Sequence, residues 1–115
     1  MTLSAFLEKL RQEPTAITFA QTMAVIEENY NFMPTAFQNG LQHNAANENN
    51  GSCKLFAFAQ RQQLSVEATL ACFGSYYFED VLKNPDGTDH QNIRNFMQTG
   101  WSGIRFEGEV LALNL

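Results

Sequence analysis

The chain has 115 residues, 44% of them hydrophobic and only 17% charged, with a formal charge of −5. That length suits one domain spanning residues 1–115, able to bury roughly two thirds of its unfolded surface. The seven basic residues are scattered rather than clustered as a nucleic-acid backbone would need, so nucleic acid is not an expected partner. No apolar run reaches the roughly 18 residues of a membrane span, and no basic-then-apolar leader opens the chain, which makes the cytoplasm the default compartment.

Leu3, Phe6, Leu7 and Leu10 recur at helical spacing behind Thr2 or Ser4 as caps, and Pro14 ends this first helix. A second begins at Thr18, whose hydroxyl and the Gln21 amide form a capping box; Phe19, Met23, Ile26 and Tyr30 are its apolar stripe. Glu27 and Glu28 oppose the dipole near its end, so it stops close to Tyr30. The segment 35–38 reads as a short strand leading into an Asn39-Gly40 turn. Residues 42–51, with Asn44, Asn47, Asn49 and Asn50, read as a surface loop, either plain or a recognition element for a polar partner.

Ser52 is a candidate cap for a helix over 53–61 that is apolar nearly all round and therefore central, a buried strand being the alternative. The longest expected helix covers 66–82, with Val66, Leu70, Phe73, Tyr77 and Val81 on one face. Gly74 falls inside it at a cost of about 1 kcal/mol, which calls for close approach by another backbone. Asn84-Pro85-Asp86-Gly87 stops that helix in a tight turn. Thr88 and Gln91 suggest a second capping box opening a helix through Thr99, with Ile93, Phe96 and Met97 buried and Gly100 as a left-handed cap. Alternation after Trp101 predicts one or two closing strands pairing with 35–38. The expected fold class is mainly α, or α+β, with about five helices and a small antiparallel sheet from the Thr35 region and the C-terminal segment.

Chemistry concentrates at the start of the penultimate helix, where Asp89, His90, Asn92 and Arg94 are the candidate ligand-binding residues. A helix start offers unpaired amides and partial positive charge, so His90 and Arg94 there could hold an anion. The competing reading is structural: Asp89 on the helix dipole, His90 packed or wet, Arg94 paired to a carboxylate. His90 and His43 lack close companion ligands, so no metal site and no cofactor is expected. Cys53 and Cys72 fit no CxxC pattern and sit among apolar neighbours, which points to buried thiols rather than nucleophiles. Glu79 and Asp80 could supply an acid or base, though solvated carboxylates are the simpler reading. No GxSxG, HExxH, GxGxxG or GxxxxGK[ST] motif occurs.

Four strings carry a resemblance: YNFMPTAFQNG at 30–40, GSCKLFAFA at 51–59, LSVEATLACFGSYYFEDVL at 64–82 and NPDGTDHQNIRNFMQTGWSGIRFEG at 84–108. Together they resemble the HopJ family, named as type III effector proteins of plant-associated bacteria. The resemblance implies a small single-domain protein and delivery into a host cell, and it supplies no catalytic residues. Two functions are therefore expected to compete. One is a non-catalytic binding module, acting through the Asn-rich segment and the 88–94 corner on a protein or small polar ligand. The other is a small cytoplasmic enzyme or anion-binding protein using His90 and Arg94, with Asp89 or Glu79 assisting His90 in acid–base work.

Overall fold

The structure, a computed structural model, describes residues 1–114. Thr2 accepts a hydrogen bond from the Ala5 amide at 3.0 Å and starts α1, Leu3–Gln12, which buries Phe6 and Leu10. One 3-10 turn at Pro14–Ala16 leads to α2, Phe19–Asn29, opened by the expected Thr18–Gln21 capping box. The helix stops just before Tyr30, as expected, and the chain extends directly into β1, Tyr30–Phe32. Next come β2, Phe37–Asn39, a turn at Gly40 and Leu41, and β3, Gln42–Asn44. The hairpin register therefore pairs Asn39 with Gln42, which places Asn39 in the strand and buries it completely.

The central helix is α3, Asn50–Arg61, in which Leu55, Phe56 and Phe58 are fully buried. Phe6 and Tyr30 meet Phe58 edge-on, while Phe37, Phe73 and Phe96 surround Phe56, the last at 4.9 Å between ring centroids. Each such ring contributes about 2–3 kcal/mol by leaving water. Cys53 and Cys72 are free and fully buried in this core; desolvation pushes their thiols up to about 11 and about 12, leaving them protonated.

The long helix expected over 66–82 is broken. It consists of α4, Val66–Ala71, capped by Ser65, and a wide π-helical segment, Tyr76–Val81, in which Leu82 N–H reaches back five residues to the Tyr77 carbonyl. Gly74 stands at the break with φ +61, and a Cβ there would lie 2.9 Å from the Phe19 nitrogen and 3.1 Å from the Ile17 carbonyl. The backbone approach inferred for this glycine is real, but it ends the α-helix rather than sitting inside it. The buried Thr22 hydroxyl donates to the Cys72 carbonyl at 2.8 Å and completes this junction.

Helix α5, Gln91–Thr99, buries Ile93 and Phe96 as expected, whereas Met97 is exposed and Asn92 takes the inward position. Its first residue follows His90 in a left-handed conformation, φ +51, with no side-chain cap. Thr88 therefore does not cap it; instead, its carbonyl accepts from the Gln91 side chain. Ser52 likewise lies one residue beyond Gly51 inside α3, whose N-cap is left-handed Asn49, φ +53, also without a side-chain bond. Gly100 ends α5 at φ +59, and the Trp101 indole donates to the Leu64 carbonyl across the core edge.

Two antiparallel sheets close the fold. In the three-stranded sheet, β2 lies between β3 and β4, Ile104–Phe106, with Phe37 opposite Phe106. This is the pairing expected between the Thr35 region and the C-terminal segment. The final strand, β5, Leu111–Leu113, pairs instead with β1, Tyr30 opposite Leu113. The result is a helix-rich α+β architecture. Among the described residues no helix is long and apolar enough to cross a membrane.

Candidate functional site

A cleft of about 450 Å³ opens between the starts of α3 and α5. One side is aromatic: Phe19 from α2, Phe73, and Tyr76 from the π-helical segment. Phe19 stacks on Phe73 and meets Tyr76 edge-on at 5.2 Å, so the three rings form one surface. Gly51 closes this side because a Cβ there would stand 3.0 Å from the Phe19 ring. The other side is polar, built from Gln42, Asn49, Ser52, His90, Gln91 and Asn92, with Ile93 beneath. Both bordering helices begin without a side-chain cap, so backbone N–H groups at each start lack the usual internal acceptor.

His90 is held from two directions. Its Nε2 lies 3.0 Å from Asp80 Oδ2, and its ring packs against Tyr76 at 5.1 Å. Tyr76 and Asp80, four residues apart in the π-helical segment, share one side of it and both face His90; such segments recur at functional sites. Asp89 is further from the imidazole, at 3.8 Å, and Glu79 pairs with Lys83 at 2.9 Å. The carboxylate partner of His90 is thus Asp80 rather than either residue expected to assist it.

Arg94 turns away from this cleft. Its Nη1 donates to the Asn84 carbonyl at 2.9 Å and, more weakly, to Pro85 O at 3.5 Å. Its Nε and Nη2 donate to the Asp89 carbonyl and Oδ1, each at 2.6 Å. The guanidinium therefore staples the 84–89 turn, and a Cβ on Gly87 would collide with it at 2.6 Å. This bond, helped by the nearby His90 charge, holds the Asp89 carboxyl below its ordinary value. Arg94 lines a separate hollow with Leu82, Pro85 and Met97.

Asn92 faces inward as well as lining the cleft. Its Oδ1 accepts from Asn39 at 3.0 Å and its Nδ2 donates to Asn44 Oδ1 at 3.1 Å; Asn39, Asn44 and Asn92 are all buried. The four residues singled out in the sequence therefore do three different things: Asp89 and Arg94 close a turn, His90 lines the cleft, and Asn92 joins the cleft to a buried amide cluster. Sequence reasoning did not single out Phe19 or Tyr76 for the site; it offered Asp80 only as one of a carboxylate pair and Asn44 only as one of several asparagines in the 42–51 segment. The structure does bring the Asn-rich segment and the 88–94 corner together on the polar side of one cleft. Among the described residues no group of three or more His, Cys, Asp or Glu is arranged to hold a metal.

The architecture and cleft define a small helix-rich α+β protein with a preformed, ligand-sized hollow. The family model described as HopJ type III effector protein matches residues 3–111, and the chain belongs to that family. A crystal structure of a protein described as VPA0580, of unknown function, is 59% identical and superposes with a TM-score of 0.97, covering 99% of this chain and 95% of that one. No curated protein matches the chain.

Proposed function

We propose that this HopJ family member is a non-catalytic, effector-like binding module that takes a small, flat ligand with a polar edge into the cleft beside His90. The observation that carries this reading is the pairing of a three-ring aromatic face with a fixed polar wall across one hollow. Sites for small molecules have this composition: apolar walls bury the body of the ligand, and a few oriented polar groups read its edge. The family's name supports the effector-like part of the reading. Delivery into a host cell follows only from that name, and an N-terminal reporter fusion that is never exported under inducing conditions would remove it.

The test is ligand-observed NMR with a panel of flat compounds such as benzamide and benzoate, mapped on labelled protein. Binding is expected to shift Ser52, Tyr76 and Gln91 together, and Tyr76→Ala to weaken it about tenfold through loss of ring contact. At a concentration about one hundred times its dissociation constant, a true ligand raises stability by about 2.7 kcal/mol. Shifts confined to the Leu82–Met97 hollow, or no binder in the panel, would count against the reading. A second reading, acid–base catalysis by His90, is favoured by its 3.0 Å contact with Asp80, the geometry that orients a catalytic imidazole. Turnover of a bound compound that disappears in Asp80→Asn while binding persists would replace the first reading with the second.

A further inference from the structure

Asn44 lies at the end of β3, is 1% exposed, and does not itself line the cleft. Its Oδ1 accepts three hydrogen bonds: from Asn49 Nδ2 at 2.7 Å, Gln42 Nε2 at 3.1 Å and Asn92 Nδ2 at 3.1 Å. All three donors are cleft-lining side chains, and they come from three elements: β3, the N-cap of α3 and the first turn of α5. An amide oxygen has two lone pairs, so a third donor crowds it; the cluster is arranged around this acceptor rather than the reverse.

We infer that Asn44 is a positioning residue, one buried acceptor that sets the spacing of the two helix starts and locks the side chains of the cleft's polar wall; this rests on the cleft being the binding site. The wall is held on its far side too. Gln42 Oε1 accepts from Asn95 Nδ2 at 2.9 Å, and Asn39 Nδ2 donates to both Asn92 oxygens, at 2.8 and 3.0 Å. Every nitrogen that could swing into the cleft from Gln42, Asn49 and Asn92 is thereby turned toward Asn44. A binding wall needs such supporting bonds, since its side chains otherwise order only when the ligand arrives, at a cost in affinity. Plain stability does not call for the arrangement. Apolar residues of similar volume fill such a space without leaving the buried Asn39 Oδ1 unpartnered, as it is here.

Hydrogen exchange and side-chain amide NMR on the intact chain test this without any ligand. In Asn44→Ala, exchange at the starts of α3 and α5 is expected to accelerate about tenfold more than exchange within α2. Uniform acceleration that only follows a fall in global stability would overturn the inference. Should Asn44→Ala fail to fold, exposed Asn49 supplies the same test: Asn49→Ala should shift the Asn92 side-chain amide through the shared acceptor, and no shift sinks the idea. Benzamide then separates the two claims. About tenfold weaker binding in Asn44→Ala than in the wild type supports the positioning role, whereas a wild type that binds no benzamide counts against the cleft reading while the exchange data still decide the role of Asn44.

Discussion

His90 and Arg94 share one helix start, yet they serve two regions with opposite physics. Around Arg94, four of the five guanidinium N–H donors are spent within the 84–89 turn, on carbonyls of Asn84, Pro85 and Asp89 and on the Asp89 carboxylate. Around His90, the imidazole is oriented by Asp80 and Tyr76 while remaining on the rim of an open cleft. The first region is satisfied and closed, and the second is held in place and unfinished. A charged side chain near a helix start is therefore no sign of a site by itself; what matters is whether its bonding capacity is used up by its own chain.

The largest expected effect comes from the junction that positions the aromatic face. Gly74→Ala forces a side chain into a left-handed backbone and against the Phe19 nitrogen, and should cost about 3 kcal/mol in denaturant unfolding. Phe19 and Tyr76 should move with it, so ring-current shifts in the cleft report the same event. A neutral outcome would mean that the α2 start is not fixed by this contact.

Next comes the closed region. Arg94→Ala should lose about 1–2 kcal/mol through its bonds to turn carbonyls, and leave binding in the cleft unchanged. It also has a pH signature. The Asp89 carboxyl is held below its ordinary value by Arg94, so its contribution is complete above the unfolded carboxylate pKa of about 4 and disappears as pH falls through the lower folded value. The stability gap between wild type and Arg94→Ala should accordingly narrow in acid; a constant gap would assign Asp89 no part in it.

The smallest effect on stability, and the clearest on binding, is expected at His90. His90→Gly relieves about 1 kcal/mol of left-handed strain and forfeits a hydrogen bond of about the same size, so unfolding midpoints should barely move. Ligand binding in the cleft should nevertheless be lost. If binding survives intact, the imidazole is scenery and the comparison between the two regions loses its functional half.

Local chemistry was legible wherever the partners lie within a few residues. Thr2, Thr18 and Gln21 cap as their spacing dictates, Pro14 and Pro85 end helices, and the apolar run around Phe56 forms the central helix. The cleft was only half legible. Its two polar segments stood out, but Phe19 and Phe73 read as core residues, and Asn44 read as one loop asparagine among several. Its meaning depends on Asn92, 48 residues away. The helix starts also misled, because Thr88 and Ser52 offer cap chemistry that the backbone declines: His90 and Asn49 enter the left-handed region instead.

The sequence by itself determined the helix-rich class and the buried thiols, since apolar periodicity, capping and composition act over short range; the family came from its resemblance strings, and the pairing of the Thr35 region with the C-terminal segment from strand alternation. Tertiary structure alone decided that Gly74 breaks a helix, that a π-helical turn carries Tyr76 and Asp80 to His90, and that three asparagines are buried together. Each of these costs free energy locally, through strain or desolvation, and exists only because contacts from distant segments offset that cost.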